Sequence, residues 1–166
     1  MTLVSPAGML AMAGCPLEMG AAMGNVQNLK GGYEAFGRGD IPSVLALFDP
    51  NIEWREAEGN PYKPDGKAWI GGDAIVEHLF MRLGSEWDGF TVTPNELYDA
   101  GDTVVAECRV TGVHKATGKS IDAQACHVWK FSDGKVTSFQ GYADTAQMQE
   151  AMGTRDAEKA AEASVA

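Results

Sequence analysis

A carboxylate stands at the end of the run "GKVTSFQGYADT", where a turn and a strand-like stretch stop at Asp144. A carboxylate at such a place can act as a general acid or base, or it can begin the next helix. Asp144 and Gln147 have the spacing of a capping box, in which Asp144 accepts from backbone donors and Gln147 reaches back. Capping favours the charged carboxylate and lowers its pKa, which is the opposite of what a general base needs. The pattern fits both roles.

A second candidate cluster lies in a predicted hairpin around the turn "KATGK" at residues 115–119. A three-residue loop with Gly118 in the left-handed conformation would place the first and last lysine of this turn opposite each other. Side chains in a facing pair lie on one side of the sheet. In this register Glu107 faces His127 and Cys108 faces Cys126. Four more residues would share the face of Glu107 and His127: Arg109, Ala123, Ala125 and Trp129.

The pairing of Glu107 with His127 allows two interpretations. A carboxylate beside an imidazole can raise the pKa of the histidine, and two small residues, Ala123 and Ala125, would leave room for a ligand beside them. The same pair could instead be a cross-strand ion pair on an outer face, contributing about 0.2–1 kcal/mol. The sequence leaves a site and a surface ion pair as alternatives.

Composition and charge exclude several functions. The 166 residues, 45% of them apolar, predict one domain that can bury its own core. Thirteen Lys and Arg against 23 Asp and Glu give a net charge of −10, which argues against nucleic acid or an anionic membrane surface as a partner. Cys15, Cys108 and Cys126 have no metal-ligand or redox spacing, so we expect reduced thiols in a cytoplasmic protein. The sequence also predicts no metal and no cofactor, since it has neither a ligand set nor a Gly-rich phosphate loop.

The order of the predicted elements is helices first and strands after. Apolar residues recur at helical spacing after Asn25, Asp40 is placed to cap a second helix, and Asp73 a third. Alternation in "IEWRE", residues 52–56, predicts a strand whose inner side carries Ile52, Trp54 and Glu56. Five more strands follow Trp87: Phe90–Thr93, Glu96–Asp99, Thr103–Val113, Ser120–Phe131 and Lys135–Tyr142. This order predicts an α+β domain over residues 25–153, with a flexible N-terminal extension at 1–24 and a charged tail at 154–166.

Six runs in this order resemble a known family: "GRGDIPSVLALF", "IEWREAEGNPY", "WIGGDAIVEHLF", "GDTVVAECRVTGVHKATGK", "HVWKFSDGKV" and "YADT". The chain resembles the SnoaL-like proteins related to ketosteroid isomerase, within the nuclear transport factor 2-like fold. The resemblance implies a cone, in which N-terminal helices pack on a strongly curved, mostly antiparallel sheet and leave a pocket. It also implies a homodimer through the outer sheet face. Activities in the family range from isomerases, cyclases and dehydratases to binders without chemistry.

The resemblance implies roles for particular residues. The general base of the steroid isomerases corresponds to Glu56, or to Arg55 after a one-residue slip. His127 stands where those enzymes have a neutral acid, and Tyr33 stands beside the place of their tyrosine donor. Asp144 has the spacing from the turn glycine of the acid/base aspartate in polyketide-cyclase members. The catalytic candidates are thus Asp144, Glu56 and His127, and the candidates for substrate binding are Tyr33, Trp54, Glu107, Arg109, Trp129, Phe139 and Tyr142.

The expected ligand is a small hydrophobic molecule with a carbonyl or hydroxyl group, and the expected chemistry is acid–base isomerisation, cyclisation or dehydration. One alternative is a non-catalytic ligand-binding or dimerisation module, in which the same residues form a wet pocket and a helix cap. Another is an epoxide hydrolase that uses Glu56 and Asp144 as its carboxylate pair. The sequence leaves open the substrate and whether the protein is catalytic.

Overall fold

The computed structural model describes residues 24–155. The predicted extension therefore lies outside the described residues apart from Gly24, and the predicted tail apart from Thr154 and Arg155. The helices are α1 (Asn25–Gly37), α2 (Ile41–Leu45), α3 (Gly72–Ile75), α4 (Met81–Glu86) and α5 (Thr145–Met152), with a π-helical turn at Val76–Phe80 joining α3 to α4. The strands are β1 (Phe48–Arg55), β2 (Trp69–Ile70), β3 (Trp87–Asp99), β4 (Thr103–His114), β5 (Ser120–Ser132) and β6 (Lys135–Ala143).

The N-terminal helices form the predicted hairpin. Asp40 caps α2 by accepting a hydrogen bond from the Ser43 backbone nitrogen at 3.2 Å. Gly32 permits a close approach, because a Cβ at this position would lie only 2.6 Å from a methyl carbon of Leu47. The third predicted cap is wrong in position: Gly71, with φ of 81°, precedes α3, and Asp73 lies inside its first turn. Glycine is favoured at Gly71 because its φ is positive.

The six strands form one curved sheet in the order β2-β1-β6-β5-β4-β3. All neighbours are antiparallel except β1 and β6, which run parallel. This confirms the predicted α+β class with a mostly antiparallel sheet. The separate strands predicted on either side of Pro94 are one strand, β3, whose pairing shifts between Pro94 and Glu96. Proline has no backbone N–H to donate. It is tolerated there because β3 is an edge strand and its pairing with β4 is irregular at this point.

The predicted register of the β4–β5 hairpin was wrong by one residue. His114 donates its backbone N–H to the Lys119 carbonyl at 2.8 Å, so four residues rather than three form the loop. His127 is consequently opposite Ala106, and Glu107 is opposite Cys126. A one-residue slip moves every side chain of one strand to the other face relative to its neighbour.

The inner face of the sheet is apolar and is covered by the helices. Alternate residues of β4 and β5 are buried there, among them Val104, Ala106, Val110, Ile121 and Phe131. Aromatic rings fill the centre: Trp54 stacks on Phe139 with ring centroids 3.8 Å apart, and Trp129 lies 5.6 Å from Trp54. These rings supply much of the buried apolar area and form the walls of the site described below.

Candidate functional site

A cavity of about 110 Å³ lies between the helices and the inner face of the sheet. Its wall is mostly apolar, with aromatic rings from Tyr33, Phe48, Trp54, Phe80, Trp129 and Phe139. Four polar side chains besides the Tyr33 phenol reach it: Glu56, Asn60, His127 and Asp144. An engineered apolar cavity of about 150 Å³ holds benzene, so this smaller one suits a ligand no larger than one small ring. Few polar groups in an apolar cavity are typical of small-molecule sites.

Glu56 is the half-buried carboxylate of this cavity. It follows the last residue of β1, and the alternation that buries Ile52 and Trp54 directs it inward, as the sequence predicts. Its Oε1 accepts a hydrogen bond from Trp54 Nε1 at 2.6 Å, and its Oε2 accepts one from Asn60 Nδ2 at 3.0 Å. Burial raises the pKa of Glu56, and these two hydrogen bonds oppose that effect in part. The result is a carboxyl group in a mostly apolar site, oriented by two donors.

The sequence did not identify Asn60, whose side chain is fixed by hydrogen bonds at both ends. Its Oδ1 accepts from the Tyr62 backbone nitrogen at 2.9 Å, so its amide nitrogen is turned toward Glu56. The phenol of Tyr62 donates to Glu86 at 2.8 Å and accepts from Trp87 Nε1 at 2.8 Å. These contacts fasten the loop to the end of α4. The run "EGNPY" reads as a turn, and only burial of Asn60 distinguishes it from an ordinary loop residue.

A second polar cluster surrounds His127 on β5. The Tyr33 phenol lies 2.8 Å from His127 Nδ1, and Trp129 Nε1 donates to the same phenol at 3.0 Å. The Cys108 sulfur lies 3.6 Å from the Tyr33 oxygen. Burial lowers the pKa of His127 to about 4 and raises the pKa of Tyr33 far above its usual range. Both groups are therefore neutral at pH 7.

Glu56 and His127 approach the cavity from either side of Gly141. His127 is the cross-strand partner of Gly141, which has no side chain to fill the space between them. A Cβ at Gly141 would lie 3.5 Å from Glu56 Oε2 and 3.3 Å from the Phe139 ring. Facing Cβ positions on neighbouring strands are about 5 Å apart. The carboxylate and the imidazole thus share one small apolar space.

Asp144 caps the C-terminal helix. Its Oδ1 accepts the Gln147 backbone N–H at 3.1 Å and its Oδ2 accepts the Gln147 side-chain amide at 2.9 Å. The hydrogen bond from the Gln147 side chain is the main cause that lowers the pKa of Asp144. Of the two roles that the sequence allows, the cap is observed. Asp144 also borders the cavity, but with both carboxylate oxygens engaged.

Three predicted binding residues lie outside the cavity. Glu107 and Arg109 are exposed on the outer face, where Glu107 accepts from Tyr98 at 3.2 Å and Arg109 donates to Asp122 at 2.6 Å. Their expected place beside His127 depended on the register that the structure corrects. Tyr142 is 56% exposed, because strand alternation puts it on the opposite face from Phe139 and Gly141. The other predicted binding residues, Tyr33, Trp54, Trp129 and Phe139, line the cavity.

The comparisons with known proteins agree with this architecture. Residues 29–139 match the model of the SnoaL-like domain, and the chain therefore belongs to the SnoaL-like domain family. An NTF2-like protein of Burkholderia thailandensis is similar at 37% identity, with a TM-score of 0.74 over 79% of this chain and 98% of that one. No curated protein matches the chain.

Two further solved structures have the same fold. TerC, co-crystallised with polyporic acid, is 25% identical with a TM-score of 0.69, over 78% of this chain and 98% of its own. IdmH of Streptomyces antibioticus, a proposed polyketide cyclase, is 20% identical with a TM-score of 0.65, over 78% and 98% of the two chains. An identity of 20% supports the fold alone. These neighbours place the protein among NTF2-like domains, whose sites carry different functions.

Residues 24–155 contain neither a membrane-spanning helix nor a cluster of metal-ligating side chains. None of the helices there is long and apolar enough to cross a membrane. Within the same residues, His, Cys, Asp and Glu side chains do not gather in threes as a metal site requires.

Proposed function

We propose that this protein is an acid–base enzyme of the isomerase, cyclase or dehydratase type, acting on a small apolar carbonyl compound. The observation that carries the proposal is the pair of Glu56 and His127 in one apolar cavity. The carboxyl group has a raised pKa and the imidazole is neutral. Burial acts on both groups and favours the neutral form of each, which suits a carboxylate base and a neutral imidazole as hydrogen-bond donor.

Glu56 acts as the base in this proposal. In the ionised form it removes a proton from the carbon next to the carbonyl group, and the electrons of the C–H bond move into the enolate. The protonated Glu56 then returns the proton to carbon or to oxygen. Burial favours this exchange because it brings the pKa of the carboxyl group closer to neutrality. The hydrogen bonds from Trp54 and Asn60 hold the carboxylate in place between turnovers.

His127 stabilises the oxygen on which charge develops. A neutral imidazole can donate a hydrogen bond to an enolate oxygen without itself losing a proton. Tyr33 does not contact the ligand in this scheme, because its hydroxyl group is already engaged by His127 and Trp129. Asp144 keeps its role as helix cap. Trp54, Trp129 and Phe139 provide apolar walls that exclude water.

A turnover screen tests this proposal. Wild type, Glu56→Gln and Asp144→Ser are incubated with small cyclic enones, single-ring hydroxyquinones and epoxides, and product is measured by chromatography. The proposal expects conversion of an enone or quinone by wild type and by Asp144→Ser, and loss of conversion in Glu56→Gln. Full turnover by Glu56→Gln would overturn the role of Glu56. Conversion of epoxides alone, lost in both variants, would support a hydrolase that uses both carboxylates.

The second candidate is a ligand-binding module without chemistry. Both oxygens of Glu56 already accept hydrogen bonds, and such a carboxylate can be a fixed part of a binding wall. In that case the screen gives thermal stabilisation by ligands and no product, in wild type as in Glu56→Gln. The two functions are therefore separated by turnover, and not by binding.

We also propose that two copies associate through the outer face of the sheet. Three apolar or aromatic side chains are exposed there, Tyr142 at 56%, Tyr98 at 49% and Val113 at 40%. Light scattering of the full chain measures its mass in solution. A dimer that Tyr142→Glu weakens supports this interface, and a monomeric wild type contradicts it.

A further inference from the structure

We infer that Trp129 and Tyr33 act as positioning residues, whose hydrogen bonds hold His127 in the neutral tautomer that carries its proton on Nε2 and presents it to the cavity. In this arrangement each hydrogen bond among Trp129, Tyr33 and His127 has a fixed direction. The positioning role goes beyond the proposed function, and rests on it only where a substrate oxygen is named.

The direction of these hydrogen bonds follows from Trp129, whose indole nitrogen can only donate. An indole nitrogen has a proton and no acceptor, so Trp129 Nε1 must donate to the Tyr33 oxygen, at 3.0 Å. The phenol then has one proton of its own to give. Nδ1 of His127 lies 2.8 Å from the oxygen, within the usual range of a strong hydrogen bond. If the phenol donates to Nδ1, that nitrogen is unprotonated, and the proton of the neutral ring is on Nε2.

The competing arrangement uses Cys108. The phenol could donate to the Cys108 sulfur, at 3.6 Å, while His127 donates from Nδ1 to the phenol oxygen. Sulfur is a weak acceptor, whereas an imidazole nitrogen is a good one. The arrangement with the phenol donating to nitrogen therefore makes the stronger bond. The ring is neutral at pH 7 in both arrangements, because burial lowers the pKa of His127 to about 4, so only one of its two nitrogens carries a proton.

Nε2 is free to meet a ligand. Among residues 24–155 it has no hydrogen-bond partner, and no sealed side-chain nitrogen or oxygen in this range lacks one. Nε2 therefore lies on the accessible part of the ring, and His127 lines the cavity. Two aromatic residues contact the ring: Tyr33 through the 2.8 Å hydrogen bond at Nδ1, and Phe139 edge-on at 5.0 Å between ring centroids. A ligand must therefore offer an acceptor at this point, such as a carbonyl oxygen.

Nitrogen-15 NMR of uniformly labelled full-length protein at pH 7 tests the tautomer directly. Proton–nitrogen correlations of the imidazole show which nitrogen carries the proton. The chain has three histidines, and the spectrum of His127→Gln identifies the signals of His127. We expect Nδ1 unprotonated and Nε2 protonated in wild type. A proton on Nδ1 overturns the inference without any variant.

Two variants test whether the Tyr33 hydroxyl group sets the tautomer of His127. Tyr33→Phe keeps the ring and removes the hydroxyl group, and the ratio of the two tautomers should fall by about tenfold, as expected for loss of one net hydrogen bond. An unchanged ratio in a folded Tyr33→Phe overturns the role of Tyr33. Cys108→Ala is the matched control, since our arrangement does not use sulfur as the acceptor. A change of tautomer in Cys108→Ala supports the competing arrangement and overturns ours.

Turnover separates this inference from the proposed function. If wild type shows the Nε2 proton and converts no carbonyl compound, the positioning role stands and the proposed catalysis fails. If carbonyl compounds are converted while the proton is on Nδ1, the catalysis stands and the positioning role fails.

Discussion

Glu56 and Asp144 are two carboxylates that follow neighbouring parallel strands and border the same cavity, and their environments are opposite. Glu56 comes directly after β1 and receives hydrogen bonds from two side chains, Trp54 and Asn60, in an apolar surrounding. Asp144 comes directly after β6, where α5 begins, and is held by Gln147. Burial raises the pKa of Glu56, whereas the hydrogen bonds from Gln147 lower that of Asp144.

The difference shows that a place at the end of a strand does not decide what a carboxylate does. The following element decides. Strand alternation points Glu56 into the cavity and a loop follows it, so its donors are two side chains, whereas a helix after β6 offers Asp144 unpaired backbone donors at its first turn. A general base needs a carboxylate that is not already stabilised in its charged form. By this criterion Glu56 is the better candidate of the two.

The largest expected effect is on turnover. Glu56→Gln should lower kcat by about 10²–10⁴-fold on any compound that wild type converts, the range found when a general base is removed. Asp144→Ser should lower it by less than about tenfold, because serine still caps a helix. Steady-state kinetics with the substrate found in the screen measure both. Equal losses in the two variants would erase the distinction between the carboxylates.

His127 provides the next test, since burial dominates its pKa as it does that of Glu56. A histidine with an unfolded pKa of about 6.5 and a folded pKa of about 4 stabilises the protein fully above pH 6.5, and this stability is lost as the pH falls toward 4. Between pH 6.5 and 5, wild type should lose about 2 kcal/mol of unfolding free energy more than His127→Gln does. Urea denaturation at both pH values measures this difference. Parallel pH profiles would show that the ring is not buried in its neutral form.

The cap of α5 has a smaller expected effect. Asp144→Ala removes both contacts with Gln147 and should destabilise the protein by about 1 kcal/mol, whereas Asp144→Ser should recover most of that loss. Thermal and urea unfolding of the two variants provide the measurement. If alanine and serine are equally tolerated, the cap contributes nothing to stability.

The two carboxylates should also change the unfolding free energy with pH in opposite directions. Since the folded pKa of Glu56 is raised, wild type should lose stability relative to Glu56→Gln as the pH rises above about 4. Since the folded pKa of Asp144 is lowered, wild type should gain stability relative to Asp144→Asn as the pH rises toward the unfolded pKa of about 4, and should keep that gain above it. Unfolding free energies from pH 3 to 7 give both slopes. Slopes of the same sign would contradict the opposite environments.

Local patterns in the sequence were sufficient for most of the fold. Helical spacing predicts α1, the capping residue Asp40 predicts the start of α2, and alternation around Trp54 directs Glu56 inward. The parallel pairing of β1 with β6 was not predicted, because no local pattern specifies which distant strands meet. Asn60 was missed for the same reason: its burial depends on the contacts of Tyr62 with α4 and β3.

The alternation of apolar residues in β4 and β5 specifies the correct register of this hairpin. The even-numbered side chains of β4 are apolar, such as Val104 and Ala106, whereas in β5 the odd-numbered ones are, such as Ile121 and Ala123. Facing residues that share the buried face must therefore combine an even with an odd number. The three-residue loop instead paired even with even, as in Cys108 with Cys126. The alternation of the two strands is therefore a stronger signal for the register than the length of the loop.

The parallel contact between β1 and β6 also bears on how the chain folds. β3 to β6 join sequential neighbours, whereas Trp54 of β1 meets Phe139 of β6 from far away in sequence. Closing so long a loop has a high entropic cost, and we expect it to come late. During synthesis the cavity around Glu56 cannot form until β6, near the end of the domain, has been made. A ligand bound in this cavity would contact both β1 and β6, and its binding would therefore stabilise the pairing of these two strands.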